Sequence, residues 1–242
     1  IGGFVCFCLA SSSIYIFNDI IDRRSDAMHP EKSSRPVASG EVDIGSAAVL
    51  SVICGLVAVF GGFMLADALA VIIISYIVLM VAYSLVLKQL MILDVIVISL
   101  GFCFRAVAGA VVVGVFISPW LIICTFALCL FLGFSKRQSE SMQLGEEGES
   151  LRSTLAGYTP ELLSHMLDVS SGLAVVCFLL YTMDQRTLRI FGTNSLVYTT
   201  PFVLYCVFRF SALIQQGRYS GPVAIITRDL VFDLGVGCRV KR

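Results

Sequence analysis

Residues 68–87, ALAVIIISYIVLMVAYSLVL, form an apolar segment of twenty residues without a single charge. An α-helix needs about 20 apolar residues to cross the roughly 30 Å hydrocarbon core of a bilayer. Because lipid offers no hydrogen-bond partner to an exposed backbone, a segment of this length and composition predicts a transmembrane helix.

Similar apolar segments lie on both sides of this one along the chain. We expect seven spans, at residues 1–17, 44–66, 68–87, 91–114, 117–135, 161–183 and 194–213. The short apolar tail 226–238 would begin an eighth. None of them alternates with the two-residue period of a membrane β-barrel strand. The predicted fold is an all-α polytopic transmembrane helical bundle, with residues 1–242 as a single domain.

Composition supports the same class of protein. The chain is 57% hydrophobic and 14% charged, whereas an average soluble domain is roughly 45–50% apolar and about 25% charged. Seventeen basic residues balance seventeen acidic ones, so the basic excess typical of a nucleic-acid partner is missing. The chain has nine cysteines without a CxxC pair and only two histidines, which argues against a zinc site.

The charges between the predicted spans are unevenly distributed. If the spans alternate in direction, one side of the membrane receives only Arg186 and Arg189, and the other receives Arg23, Arg24, Lys32, Arg35, Lys88, Lys136, Arg137, Arg152, Arg218 and Arg228. The positive-inside rule places the basic side in the cytoplasm. The two long polar loops predicted at 18–43 and 136–160 then both face the cytoplasm.

The first polar loop has the residues of a metal and phosphate site. Asn18, Asp22 and Asp26 are spaced by four residues and Asp19 lies three before Asp22, which places these groups on one helical face. Converging carboxylates are unfavourable unless a cation neutralises them, and hard oxygen ligands suit Mg²⁺ with substrate phosphates. His29-Pro30 would end the helix, and Lys32 and Arg35 follow within reach of a phosphate. The alternative is a solvated acidic helix end without a ligand.

Three further charges lie at or below the membrane surface around the fourth span. Lys88 precedes this span, Asp94 begins it, and Arg105 lies eleven residues deeper, or roughly 16 Å along a helix. Charges at that depth usually face a polar cavity or a partner. The alternatives are an ion pair to a neighbouring helix for Asp94 and Arg105, and extension of Lys88 to the membrane surface. Asp168 and Arg209 in later spans are weaker candidates for such a cavity, because pairing between helices explains them equally well.

The second polar loop begins with Lys136, Arg137 and Glu140. The two basic residues are typical of membrane-surface anchors, and Glu140 is placed to bind a second cation or to fix Arg137. Taken alone, this loop decides nothing.

These motifs together resemble those of the UbiA-type intramembrane prenyltransferases. Asn18 to Asp26 matches NDxxDxxxD, and Arg35 to Gly40 matches RPxAxG. Similarity to one branch, which moves phosphoribose onto a polyprenyl phosphate, extends along almost the whole chain: Tyr83 to Lys88, Asp94, Gly101 to Gly109, Lys136 to Glu140, Gly157 to Thr159, Pro201 to Arg209 and Gly221 to Asp229.

The resemblance also has departures from the family pattern. The family has about nine helices, the first of which carries an RPxQWxKN-like segment, so we expect this sequence to lack that helix and part of the last. Other branches carry a second aspartate-rich motif in the loop corresponding to 136–160. Here that loop begins with Lys136 and Arg137 instead, which favours the phosphoribosyl branch.

The resemblance implies a Mg²⁺-dependent transferase of a bacterial inner membrane. Its donor would be phosphoribosyl pyrophosphate, its acceptor a polyprenyl (decaprenyl) phosphate and its by-product pyrophosphate. Asp19, Asp22 and Asp26 would bind the metal and act in catalysis. Asp94 and Glu140 are assigned to ribose hydroxyls or a second ion. The substrate-binding residues would be Asn18, Lys32, Arg35, Tyr83, Lys88, Asp94, Arg105, Lys136, Arg137 and Glu140.

Two other functions share part of these features. A family member could instead move a prenyl group from a prenyl diphosphate to an aromatic or quinone-precursor acceptor, with the same first motif and metal. A non-enzymatic membrane protein such as a transporter is disfavoured. Transporters often show paired repeats or helices broken at mid-membrane, whereas this sequence has no convincing internal repeat and its charges gather at one face.

Overall fold

The computed structural model of the chain describes residues 1–28, 32–151, 157–217 and 221–228. Within these ranges the regular structure is helical, and no strand occurs. For residues 143–151 and 223 the structure describes the backbone alone. His29, Pro30, Arg152 and Arg218, together with most of the predicted tail span 226–238, lie outside these ranges. The chain divides into two compact units, Ile1–Ile117 and Ser118–Arg242.

The described residues of the first unit form five helices. They are α1 (Gly2–Met28), the short α2 (Pro36–Ser39), α3 (Ile44–Leu65), α4 (Asp67–Leu85) and α5 (Leu93–Val113), with a 3₁₀ turn at Leu87–Gln89. Asp43 caps α3 by accepting a hydrogen bond from the Gly45 amide at 2.8 Å, which satisfies one of the unpaired amides of the first helical turn.

The second unit consists of the remaining helices of the described residues. They are α6 (Pro119–Leu151), α7 (Pro160–Met183), α8 (Gln185–Phe191), α9 (Thr200–Gln215) and α10 (Pro222–Arg228), with a 3₁₀ segment at Ser195–Thr199 before α9. Thr159 caps α7 through its hydroxyl, which accepts from the Leu162 amide at 3.2 Å. Pro160 follows at the first helical position, where the missing N–H leaves nothing unsatisfied.

Seven helices in the described residues are long and apolar enough to cross a membrane, which confirms the seven predicted spans. They are Gly2–Met28, Ile44–Leu65, Asp67–Leu85, Leu93–Val113, Pro119–Met142, Pro160–Met183 and Ser195–Gln215. On α3 the large side chains of Leu56, Phe60 and Met64 are each about two-thirds exposed. Such a surface is unfavourable in water and normal against lipid. The protein is an integral membrane protein.

Two helices extend beyond the apolar segments that predicted them. α1 continues from the expected span end at 17 to Met28, and α6 continues from 135 to Leu151. The prediction of a loop at 136–160 was therefore wrong over most of its length. Hydropathy marks where a chain leaves the membrane, whereas helix ends are set by Pro, caps and backbone conformation, and no proline lies between 119 and 160.

Small and aromatic residues join α1 to its neighbours in the first unit. The Ser51 hydroxyl of α3 donates to the backbone oxygen of Ser13 at 2.8 Å, and a Cβ on Gly55 would lie 3.1 Å from the Ser13 hydroxyl. Such close backbone approach is typical of packed membrane helices. On the other side of α1, the ring centroid of Phe7 lies 4.8 Å from that of Tyr76 in α4. The core of the first unit therefore fixes α1 against both α3 and α4.

Candidate active site

The end of α1 carries the acidic face that the sequence predicted. The Asn18 side-chain amide donates to Asp22 Oδ2 at 3.0 Å, which confirms that residues four apart meet on this helix. The Ser25 hydroxyl donates to the Asp22 backbone oxygen at 2.9 Å. Both contacts depend on α1 remaining helical after its apolar segment ends.

Arg35 bridges two of the aspartates from the segment that follows α1. Its Nη1 donates to Asp19 Oδ1 at 2.7 Å and to Asp26 Oδ2 at 2.9 Å. The Asp26 side chain is only 5% exposed, so this contact compensates a charge that is almost removed from water. Asp19 Oδ1 and Asp26 Oδ2 contact the same Arg35 nitrogen, so the two carboxylates lie close enough together for one cationic group to bridge them.

Local sequence explains why Arg35 points back at α1. Its own backbone is extended, with φ −64° and ψ 140°, and Pro36 begins α2 directly after it. A residue before proline is disfavoured in the helical conformation, so the chain turns sharply at this point. Gly40 ends α2 with φ +84°, a left-handed conformation that glycine adopts without a Cβ clash.

Lys88 brings a second cation to the acidic face from the turn between α4 and α5. Its ammonium group forms an ion pair with Asp22 and a 3.3 Å hydrogen bond to Asn18 Oδ1. The Lys88 side chain is 16% exposed. The ammonium group of this lysine therefore lies against the acidic face of α1.

The turn that carries Lys88 contains a strained backbone. Ile92 has φ +70° and ψ −46°, and the Leu93 amide donates to the Met91 carbonyl at 2.8 Å. This is a γ-turn of the rare, strained form, adopted here by a β-branched residue. Strain of this kind persists only where the surrounding structure imposes it. α5 begins immediately afterwards, and Asp94 in its first turn is fully buried.

The charges of this cluster determine what it can bind. Three carboxylates lie against two basic side chains, so the cluster has one negative charge in excess. Among the described residues, no group of three or more His, Cys, Asp and Glu side chains is close enough together to hold a metal ion. The carboxylate oxygens of the cluster nevertheless have the chemistry that suits Mg²⁺. In this structure the basic side chains of Arg35 and Lys88 contact all three carboxylates.

The sequence also predicted Lys32, Tyr83 and Arg105 as site residues of the first unit. The Lys32 side chain is half-buried and forms no hydrogen bond or ion pair with another described residue. Tyr83 is half-buried in α4. Arg105 contacts the Tyr76 hydroxyl at 3.2 Å, so it pairs with a phenol instead of a carboxylate in the described residues.

The second unit contains a separate polar segment on α6. Arg137 is 3% exposed, and its Nη1 donates to Glu140 Oε2 at 2.5 Å, which confirms that Glu140 is placed to fix it. Lys136 is exposed. Sequence reasoning missed Gln138, whose Oε1 is buried without a hydrogen-bond partner among the described residues. Asp168 lies exposed on α7 and Arg209 half-buried on α9.

The fold and this cluster together define a polytopic membrane protein with acidic and basic side chains gathered at the end of α1 and in the turn between α4 and α5. The sequence model of the UbiA prenyltransferase family matches residues 1–222. The chain belongs to this family, which confirms the resemblance drawn from its motifs.

Similar proteins agree in fold and in family. Decaprenyl-phosphate phosphoribosyltransferase of Mycolicibacterium smegmatis is 32% identical over 239 residues, covering 96% of this chain and 74% of that protein. The enzyme of the same name from Mycobacterium tuberculosis is 29% identical over 231 residues, covering 96% and 76%. The solved structure of a UbiA homologue from Archaeoglobus fulgidus, bound to GPP and Mg²⁺, has a TM-score of 0.76 at 15% identity, covering 97% and 81%.

Family membership decides between the classes of function considered above. The chain is a transferase of the UbiA family, in agreement with the expectation that disfavoured a non-enzymatic membrane protein. The comparisons leave the choice of donor and acceptor to the chemistry of the site.

Proposed function

We propose that this protein transfers phosphoribose from phosphoribosyl pyrophosphate to a polyprenyl phosphate such as decaprenyl phosphate, releasing pyrophosphate with the help of Mg²⁺. The observation that carries the proposal is the ion-paired cluster of Asp19, Asp22 and Asp26 with Arg35 and Lys88. This cluster has carboxylates for a metal and cations for phosphates within one set of contacts. The relatives of 29–32% identity, which share the phosphoribosyl name, support the choice of donor.

The three aspartates would hold Mg²⁺ on the donor's diphosphate. When bound, the ion neutralises negative charge that grows on the diphosphate as the bond from ribose C1 to its leaving oxygen breaks. Asp19 and Asp26 present oxygens to a common point, which Arg35 Nη1 contacts. Asp22 presents its carboxylate to Lys88 in the same way.

Arg35 and Lys88 have a second role in this proposal. Each neutralises carboxylates in the absence of donor, and each is free to turn to a phosphate oxygen once the metal takes over those carboxylates. A guanidinium matches the paired oxygens of a phosphate, and an ammonium acts as a point charge. The exchange keeps the charge of the site nearly balanced in both states.

The chain needs no general base for this transfer. The attacking oxygen belongs to a phosphate that is already anionic near neutral pH, so no proton has to be removed from it. The work of the protein is then to position two anions and to neutralise the leaving group.

A second candidate is transfer of a prenyl group from a prenyl diphosphate to an aromatic or quinone-precursor acceptor. The Archaeoglobus fulgidus homologue binds GPP with Mg²⁺, and a diphosphate leaving group would meet the same aspartates. The two candidates differ in the group attached to the diphosphate and in the acceptor.

One experiment separates the candidates. Purified protein in nanodiscs receives Mg²⁺ with either labelled phosphoribosyl pyrophosphate and polyprenyl phosphate, or labelled prenyl diphosphate and 4-hydroxybenzoate. We expect labelled lipid and pyrophosphate only in the first reaction. Product only in the second reaction would refute phosphoribosyl transfer in favour of prenylation.

We further propose that the protein lies in a bacterial inner membrane with the acidic cluster facing the cytoplasm. The positive-inside distribution supports this orientation, and a water-soluble donor made inside the cell requires it.

A further inference from the structure

Arg105 lies near the middle of a membrane-spanning helix. It follows Leu93, the first residue of α5, by twelve positions, or about 18 Å of helix. A charged side chain at the centre of a span costs about 2.5–3.5 kcal/mol even on the most lenient scale. Such a residue usually faces a partner or a polar cavity, so its contacts determine its role.

The partners that Arg105 has are aromatic and uncharged. Its Nη2 donates to the Tyr76 hydroxyl at 3.2 Å, its guanidinium carbon lies 4.8 Å from the Phe102 ring centroid and 5.8 Å from that of Tyr76, and the Tyr15 hydroxyl also interacts with it. Cation–π contacts contribute about 0.5–2 kcal/mol.

Within the described part of the chain, the charge of Arg105 nevertheless has no counter-ion. Its Nε is buried and has no hydrogen-bond partner in the described ranges. No carboxylate of the described residues forms an ion pair with it. The aromatic contacts offset part of the cost of the buried charge but supply no negative charge, so an anion bound here would still be favoured.

The position of this guanidinium relative to the acidic cluster follows from α1. Tyr15 lies four residues before Asp19, about 6 Å deeper along the helix, and Ser11 lies about 12 Å deeper. Ser11 Oγ is 3.4 Å from the Tyr76 hydroxyl, which also accepts from Arg105. The network of Ser11, Tyr15, Tyr76 and Arg105 therefore lies one to two helix turns below Asp19, toward the membrane interior.

We propose that Arg105 binds the phosphate of the lipid acceptor. The inference rests on the proposed function, in which an acceptor phosphate oxygen forms a bond to ribose C1 while the bond from C1 to the diphosphate oxygen breaks. The electron pair of that bond leaves with pyrophosphate, and no proton moves. The entering and leaving oxygens lie on opposite sides of C1.

The separation between Arg105 and the cluster fits this arrangement. Reacting atoms in a productive complex stand about 3–3.5 Å apart, so with the P–O bonds added the two phosphorus atoms stand a little over one helix turn of about 5.4 Å apart. The acceptor phosphate must lie on the membrane side, because its chain lies in the bilayer. Arg105 can engage two phosphate oxygens at once, and the hydroxyls of Tyr15 and Tyr76 are further donors beside it.

Binding of undecaprenyl phosphate to the full chain in phosphatidylcholine nanodiscs tests the subsite directly. The probes are undecaprenyl phosphate, neutral undecaprenol, phosphatidic acid and inorganic phosphate, measured by ligand-induced change in thermal unfolding. We expect undecaprenyl phosphate alone to stabilise the wild type, and Arg105→Gln to weaken its binding by roughly tenfold or more. The matched control is Arg189→Gln, an exposed arginine on α8, which should bind as the wild type does.

Each alternative ligand has its own outcome. Equal stabilisation by phosphatidic acid would make this a general anionic-lipid site and overturn the assignment to the acceptor. Equal stabilisation by inorganic phosphate would overturn it in favour of a free-phosphate site. Unchanged undecaprenyl phosphate binding in Arg105→Gln would also overturn it.

A second variant protects the test against misfolding. Arg105→Lys keeps the charge but loses the paired geometry, so it should bind undecaprenyl phosphate with intermediate affinity. In turnover, both variants should raise KM for the lipid and change KM for phosphoribosyl pyrophosphate by less than about twofold. A parallel rise in both KM values would show a structural role and refute the subsite. No pyrophosphate release by a wild type that binds the lipid through Arg105 would refute the proposed function and leave the subsite intact.

Discussion

Lys88 forms an ion pair with Asp22, a residue 66 positions earlier in the chain. Asp22 lies on α1, and Lys88 lies in the turn that leads from α4 to α5. The pair therefore couples the acidic face of one helix to the connection between two others. Changes on either side should register in both metal binding and helix packing.

Asp22→Asn should abolish pyrophosphate release while the protein remains folded. The change removes one negative charge from the carboxylates proposed to bind Mg²⁺ and leaves Lys88 without its ion pair. We expect activity to fall by more than about 100-fold, since even groups that only support metal ligands contribute about 10–100-fold. Pyrophosphate release and thermal unfolding are measured on the same preparation.

The matched control for Asp22→Asn is Glu41→Gln, at an exposed acidic residue outside the cluster. It should retain wild-type turnover. Normal turnover in Asp22→Asn would remove the metal role from this residue.

Arg35→Gln should strengthen binding of a metal ion alone and weaken binding of diphosphate. Arg35 Nη1 contacts both Asp19 and Asp26, so its removal restores the repulsion that a divalent cation relieves. We expect Mn²⁺, read by electron paramagnetic resonance, to bind several-fold more tightly. Pyrophosphate in the presence of Mn²⁺ should bind roughly tenfold more weakly, because a charge-assisted contact is lost. Unchanged Mn²⁺ binding would mean that Arg35 does not compete for these carboxylates.

Ile92→Gly should stabilise the protein. Ile92 has φ +70°, a conformation that costs a non-glycine residue about 1–3 kcal/mol, whereas the entropic penalty of glycine is about 0.5–1 kcal/mol. The expected result is a higher thermal unfolding temperature in detergent. Ile92→Ala is the control, because alanine keeps a Cβ and hence the strain. An equal gain from both variants would trace the effect to the lost side chain.

Two helical glycines should respond in opposite directions to the same substitution. A Cβ on Gly62 would lie 3.1 Å from the backbone Cα of Ala70, whereas a Cβ on Gly109 meets nothing within 4 Å. Gly62→Ala should therefore destabilise by about 1–3 kcal/mol through overpacking of α3 on α4. Gly109→Ala should be neutral or gain up to about 1 kcal/mol from helix propensity. Equal unfolding temperatures for the two variants would contradict the close packing of α3 and α4.

The proposed orientation predicts opposite labelling of two engineered cysteines. In a cysteine-free background, Val115→Cys, after α5, should react with a membrane-impermeant maleimide in intact cells. Glu41→Cys, before α3, should react only after permeabilisation. The reverse pattern would invert the assignment of the acidic cluster to the cytoplasm.

The sequence predicted the parts of the structure that depend on local spacing. The apolar segments located all seven spans, because about twenty uncharged residues have few other structures available in lipid. The four-residue spacing of Asn18 and Asp22 predicted a contact that the structure confirms.

Contacts between distant residues could not be predicted in the same way. The ion pair of Lys88 with Asp22 depends on how α4 packs on α1, and nothing in the neighbouring sequence encodes that register. Arg35 was expected to face a phosphate, and its contacts with Asp19 and Asp26 depend on the sharp turn before α2. The γ-turn at Ile92 runs against the local preference of a β-branched residue, so only the packed structure reveals it.

α6 is a single helix of 33 residues, about 50 Å long, although the hydrocarbon core is only about 30 Å thick. Its last sixteen residues follow the apolar segment and extend about 24 Å from it. For a helix that pivots where its apolar segment ends, a change of about 10° in tilt, well inside the range of membrane helices, moves an end about 24 Å away by about 4 Å. A small change in the tilt of α6 inside the bilayer would therefore become a much larger displacement at the end of the helix that lies beyond it.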